Sequence, residues 1–319
     1  MHYRRLGKSG LKVSEIALGS WITFGKQLDE DHASQLIHSA FDHGVNFFDC
    51  ADIYAKGLAE IILGKAIRDL PREELVISSK VFQPLSSSPN GRGLSRKHVT
   101  EAIHNSLKRM QLEYLDLYFC HRYDPDTPVE EVVRTMNDLI HQGKILYWGT
   151  SQWEPARIME AHGVARQYGL IPPAMEQPQY NLFYRKRVEV DLLPVCQEIG
   201  LGLTTYSPLY FGLLSGKYND GIPAGSRTNL PDYKWIADEI TPEKIAIVRQ
   251  LTQLATELGI TTAQLAIGWL LRLREVSCVI TGATKLEQLD DNLFAAAALE
   301  KLDNDIFEQI DHIMGNAPE

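Results

Sequence analysis

Cysteine is scarce in this chain: four among 319 residues, at Cys50, Cys120, Cys196 and Cys278. Their wide spacing excludes CxxC metal or redox pairs and a disulfide framework, which fits a reducing cytosol and leads us to expect no metal. Long apolar runs are also missing. No stretch approaches the ~18 uninterrupted apolar residues of a membrane span, and the opening MHYRRLGKSG is followed by no signal-peptide core. A cytoplasmic protein without membrane insertion is therefore expected. Basic residues are in the minority, 32 Lys and Arg against 41 Asp and Glu, for a net charge of -9. That balance argues against nucleic acid or an anionic membrane as partner of the whole surface, while leaving room for a local basic pocket. There is no Walker A pattern and no GxGxxG after the first strand, where Leu18 is followed by Gly19-Ser20-Trp21-Ile22-Thr23-Phe24-Gly25.

What is present is a regular alternation. The composition, 44% hydrophobic and 23% charged, can bury a substantial core. Segments 3–6 and 12–15 flank the turn Lys8-Ser9-Gly10 and predict a short N-terminal β-hairpin. Strands are expected at 16–18, 46–49, 75–80, 115–121, 147–150, 174–177, 201–206 and 278–281. Helical patterns fill 31–43, 59–67, 96–110, 129–142, 156–168, 188–199, 241–273 with a break at Gly259, and 286–298. Ser95, Thr127-Pro128 and Thr241-Pro242 mark helix starts, and Gly44, Gly143, Gly169 and Gly200 mark ends. Alternating strands and helices require a parallel sheet, and eight units favour a closed (β/α)8 TIM barrel over a doubly wound sheet. Residues 1–319 read as one barrel domain. The longest irregular stretch, about 207–240, carries Lys217, Arg227, Tyr210, Phe211, Tyr218 and Trp235, and is expected to fold over a ligand.

In such a barrel the strand C-termini carry function. The second expected strand ends in Asp49, the third in Lys80 and the fourth in His121, and Tyr54 lies in the loop after Asp49. Each alone is more often a solvated loop residue or a structural ion pair than a catalyst. Adjacent strands, however, bring these ends within side-chain reach, so Asp49, Lys80 and His121 can converge on Tyr54. An ammonium beside a tyrosine favours phenolate, so Lys80 is expected to lower the Tyr54 pKa, with Asp49 orienting Lys80. His121 would hydrogen-bond a substrate carbonyl. This cluster suits protonation of an oxygen that gains negative charge as hydride reaches its carbon.

The run Phe47-Phe48-Asp49-Cys50-Ala51-Asp52-Ile53-Tyr54, with Gly57, Glu60, Leu63-Gly64, Ser79-Lys80 and Tyr118-Phe119-Cys120-His121-Arg122, resembles the aldo-keto reductase family across nearly the whole chain. Gly93-Leu94-Ser95-Arg96-Lys97-His98, Pro125-Asp126-Thr127-Pro128 with Glu130-Glu131, and Tyr147-Trp148-Gly149-Thr150-Ser151 resemble the subgroup of voltage-gated potassium channel β subunits and their bacterial relatives. The resemblance implies a (β/α)8 barrel, NADPH/NADP+ as cofactor, pro-R hydride transfer and the tetrad Asp49, Tyr54, Lys80 and His121. It assigns Ser151, Gln152 and Gln177 to the nicotinamide carboxamide and Tyr206 to stacking on the ring. Ser207, Pro208, Leu209 and Gly212 fall at the pyrophosphate, with Lys217 and Arg227 adding charge. Thr284 and Gln288, after Gly282, fall at the 2'-phosphate, and Asp291 and Asn292 at adenine. Trp21 is assigned to the cofactor site as well. Mammalian channel subunits have Asn where His121 stands here, so the ordinary reductase set is kept. No long extension precedes Met1, which argues against a tethered channel-inactivating segment and does not bear on docking to a channel.

The substrate pocket is expected to comprise Trp21, Phe82, Tyr54 and His121. Cys50 and Cys120 read as small core residues. The leading expectation is NADPH-dependent reduction of small aldehydes or ketones. A slow NADP(H)-sensing auxiliary subunit of a channel or transporter is the second, and a Schiff-base aldolase using Lys80 the third. The expected partners are a small carbonyl substrate and further copies of the chain, as a tetramer or larger.

Overall fold

The chain opens with an antiparallel hairpin, β1 (Tyr3–Arg5) and β2 (Lys12–Ser14), in which Tyr3 pairs with Ser14. The computed structural model describes residues 1–223, 226, 228 and 233–318. Eight further strands follow: β3 (Ile16–Gly19), β4 (Phe47–Asp49), β5 (Val76–Val81), β6 (Leu115–Cys120), β7 (Ile145–Thr150), β8 (Met175–Glu176), β9 (Gly202–Thr205) and β10 (Val276–Thr281). Each pairs in parallel with the next, and β10 closes on β3. The fold is a closed (β/α)8 TIM barrel with an N-terminal hairpin. The strands expected from sequence are all there, displaced by no more than two residues at either end.

The helices that follow the first five barrel strands are α1 (Glu30–Asp42), α2 (Leu58–Ala66), α3 (Arg96–Met110), α4 (Val129–His141) and α5 (Pro155–Tyr168). A π turn, Arg187–Leu192, leads into α6 (Leu193–Ile199). The last crossover carries α7 (Trp235–Asp238), α8 (Pro242–Glu257) and α9 (Thr262–Leu271), and the chain ends with α10 (Leu286–Leu293), α11 (Ala295–Ala298) and α12 (Asn304–Met314). Side chains of Ser95 and Thr241 accept the amide hydrogens of His98 and Lys244 and so cap α3 and α8. Thr127 does not cap α4; its hydroxyl donates to Asp124 instead, 2.8 Å away. The helix α12 was not expected, although Ile306, Phe307, Ile310 and Met314 recur at helical spacing behind the cap Asp303. Among the described residues no single helix is long and apolar enough to cross a membrane. The apolar α9 is a core helix, buried along nearly all its length.

Two cores follow from the pleat. Alternate strand residues face the helices in one large cluster, while Ala17, Phe47, Val76, Leu117, Phe119, Met175, Cys278 and Ile280 fill the barrel interior. Leu6 and Val13 of the hairpin join that inner cluster and plug its lower end. The plug sits tightly on the barrel: at Gly7, with φ +54, a Cβ would lie 2.4 Å from the Gly200 carbonyl oxygen. With apolar residues filling the lower layers, the inward positions at the upper ends of the strands are left for polar groups.

Candidate active site

Period-two alternation carries the inner face from Phe47 to Asp49, from Val76 through Ser78 to Lys80, from Phe119 to His121, and from Met175 to Gln177. These upper positions meet. Lys80 is fully buried; its Nζ donates to Asp49 Oδ2 at 2.6 Å, to the Cys50 carbonyl at 2.7 Å and to Tyr54 Oη at 3.3 Å. Asp49 also accepts from Ser78 Oγ at 2.8 Å and Gln177 Nε2 at 3.1 Å. An ammonium has three donors and no acceptor, so all three are used here, and the Tyr54 hydroxyl hydrogen cannot be given back to Lys80. It remains available to a group in the cavity. His121 stands edge-on to Tyr54, ring centroids 5.9 Å apart, and its buried Nδ1 has no partner among the described residues.

The loop that delivers Tyr54 is conformationally specified. Ala55 and Lys56, directly after it, both adopt left-handed backbone, with φ 47 and 55. Ile22, Ser207 and Phe211 do the same around the rim, with φ 69, 55 and 57, and all five line one cavity. Non-glycine residues held there cost about 1–3 kcal/mol each, a strain that the rest of the fold must hold in place.

Electrostatics depart from the sequence expectation at Tyr54. Burial, followed by the negative charge of Asp49, pushes its hydroxyl well above the ordinary tyrosine range, against a smaller opposing effect of Arg122. Tyr54 is thus a protonated phenol rather than one poised to ionise, because desolvation outweighs the nearby cations. Burial, then the charges of Lys80 and Arg122, holds His121 well below the usual imidazole range, so its ring is neutral. Cys50 and Cys120 are fully buried, and burial pushes their thiols up, so both stay protonated in the core.

The cavity has a volume of about 910 Å³ and runs from Asp49, Tyr54 and His121 past Gln177 and Tyr206 to Gln288 and Asn292. Trp21, Ser151, Ser207, Pro208, Leu209, Gly212, Lys217, Gly282, Thr284 and Asp291 also line it. Gln152 does not; its Nε2 donates to Tyr206 Oη at 3.0 Å and fixes that ring. Gln288 Oε1 accepts from the Thr284 amide and hydroxyl at the start of α10. Asp291 accepts from Thr261 and Gln264, the capping box of α9. Arg227 lies outside the described residues. Phe82, expected in the substrate pocket, follows the end of β5 at Val81; its buried ring packs in the larger core cluster with the Arg92 guanidinium over its face, and Gln83 lines the cavity instead.

A model of the aldo/keto reductase family matches residues 15–314. The chain belongs to the aldo/keto reductase family. Two relatives, each named a probable voltage-gated potassium channel subunit beta, come from Arabidopsis thaliana and Oryza sativa subsp. japonica. Each is 46% identical over 322 aligned residues, covering 100% of this chain and 98% of the relative. As an aldo/keto reductase the chain has supporting residues that the sequence reading gave no role. Ser78 bonds Asp49, and Asn181 Nδ2 holds the Ser207 carbonyl at 3.0 Å. Ser79 donates to buried Glu60 at 2.6 Å, tying α2 to the strand that carries Lys80. Counting two back from Lys80 finds Ser78; Asn181 leaves no comparable signal in the sequence.

Proposed function

We propose that the protein is a cytoplasmic NADP(H)-dependent reductase of aldehydes and ketones. The observation that carries this reading is the Tyr54 hydroxyl, protonated, bonded from behind by Lys80 and open to a long polar-ended cavity. The residues present suit the cofactor. Ser151 and Gln177 offer amide-binding groups, Tyr206 a flat ring, and Lys217, Lys285 and the start of α10 positive charge for phosphate. When bound, NADPH supplies a hydride to the carbonyl carbon.

The chain's own groups do the rest. Tyr54 gives its proton to the carbonyl oxygen as that oxygen gains charge; an alkoxide is a stronger base than phenolate, so even a raised Tyr54 pKa permits the transfer. Lys80, donating to Tyr54 Oη, stabilises the phenolate left behind, and Asp49 holds Lys80 in place. The neutral His121 ring offers an N–H to the same oxygen and adds no charge that would compete with Tyr54.

A panel of aldehydes, ketones and sugars assayed with NADPH and NADH tests the proposal: at least one carbonyl is reduced, faster with NADPH. Absence of turnover across the panel would overturn it. The names of the two relatives favour one second reading, an NADP(H)-binding auxiliary subunit of a channel. That reading predicts tight cofactor binding, negligible steady-state rate and co-purification with a membrane partner.

A further inference from the structure

Among the described residues, five cationic side chains line the cavity, Lys26, Lys56, Arg122, Lys217 and Lys285, against two acidic ones, Asp49 and Asp291. This excess stands out in a chain whose net charge is -9. Both acids are engaged, Asp49 by Lys80 and Asp291 by Thr261 and Gln264. Lys217 and Lys285 belong to the segments assigned above to phosphate. Arg122 lies in neither of the segments assigned to phosphate. It follows His121 directly, bonds Ser151 and lines the cavity together with Tyr54, His121 and Tyr206, which puts the guanidinium at the reacting end of the cavity.

Its bonds go to neutral acceptors: Nη1 to the His121 carbonyl and at 3.5 Å to Ser151 Oγ, and the guanidinium also bonds the Tyr206 hydroxyl. No carboxylate among the described residues pairs with it. A guanidinium has five N–H donors in a planar fork that matches a carboxylate, and such charge-assisted bonds are the strong ones. Lys56, two residues after Tyr54 and held in left-handed backbone, also lines the cavity without a carboxylate partner among the described residues. Arg122 near a neutral His121 and a protonated Tyr54, with Lys56 on the same cavity's wall, leaves the cavity's positive charge without a paired carboxylate among the described residues.

Resting on the carbonyl-reductase reading, we infer that Arg122, assisted by Lys56, forms an anion subsite that selects carbonyl substrates bearing a carboxylate. The carboxylate would meet the guanidinium while its carbonyl oxygen meets Tyr54 and His121. A charge-assisted pair of this kind corresponds to a preference of roughly 10- to 100-fold.

The test compares 3-formylbenzoate with its methyl ester, which differ in charge and hardly in reactivity, using NADPH at pH 7. The wild-type protein should show the higher kcat/KM for the acid, and 0.5 M NaCl should narrow the gap. Arg122→Met should lower the acid-to-ester ratio by about 10-fold or more, chiefly through KM for the acid. Arg122→Lys should retain part of the preference, and Lys56→Met should lose less than Arg122→Met. An unchanged ratio in Arg122→Met overturns the inference, as does weakened NADPH binding with an unchanged ratio, which would assign Arg122 to the cofactor. If Arg122→Met does not fold, the wild-type ratio decides alone, and a value at or below one overturns it. If the wild-type protein reduces neither aldehyde, nor any carbonyl of the wider panel, the carbonyl-reductase reading itself falls and the subsite with it.

Discussion

Asp52 offers a stability experiment that needs no substrate. It lies between Asp49 and Tyr54, is fully buried, and neither of its carboxyl oxygens has a partner among the described residues. Burial, then the charge of Glu60, pushes its pKa up to about 8, against the opposing effect of Arg109. The unfolded chain would titrate near the ordinary value of about 3.9. Between these values the native state holds a proton that the unfolded state has released, so the stability it lends is complete below about pH 4 and falls as pH rises towards 8. Each unit of that interval corresponds to about 1.4 kcal/mol. Asp52→Asn keeps the shape and removes the titration. Relative to wild type it should gain roughly 4 kcal/mol between pH 5 and pH 8. At about 2.1 cal/mol/K per residue over 319 residues, this is a relative rise in Tm of about 6 °C, read by scanning calorimetry at the two pH values. Parallel pH dependence in the two proteins would refute the buried neutral carboxyl.

Two further outcomes follow from the tetrad's surroundings. Lys80→Met leaves Asp49 buried without its ion partner, so urea unfolding should report a loss of about 3–5 kcal/mol, and kcat should drop about 10²- to 10⁴-fold. A variant as stable and active as wild type would contradict the arrangement. His121 is held neutral by burial and by Lys80 and Arg122, so its ring should titrate with a midpoint well below 6.5 when followed by NMR. A midpoint at or above 6.5 would place its charge state differently.

The barrel was legible because inward and outward residues alternate and because helix and strand periods succeed one another without a break. Asp49, Lys80 and His121 were legible because each falls at or within one residue of the upper end of a barrel strand, where function is carried. The sign at Tyr54 was not, since a loop residue carries no mark of its burial, and desolvation decided the direction. Phe82 was assigned to the pocket because it follows a strand end; the buried ring packs in the larger core cluster and is not among the residues lining the cavity. Gln152 was assigned to the cofactor by resemblance alone; its backbone is left-handed, φ 59, and its amide donates to Tyr206 Oη, a bond with no mark in the sequence. Arg122 stood within a recognised run of residues and drew no role, because only the lining of the cavity separates it from a surface arginine.

The central claim is that Tyr54 protonates a carbonyl oxygen in a reaction that uses NADPH. Tyr54→Phe keeps the ring and removes only the hydroxyl that Lys80 bonds. With 4-nitrobenzaldehyde and NADPH, kcat should fall about 10²- to 10⁴-fold while fluorescence titration finds NADPH binding unchanged. Full activity in Tyr54→Phe would contradict the account.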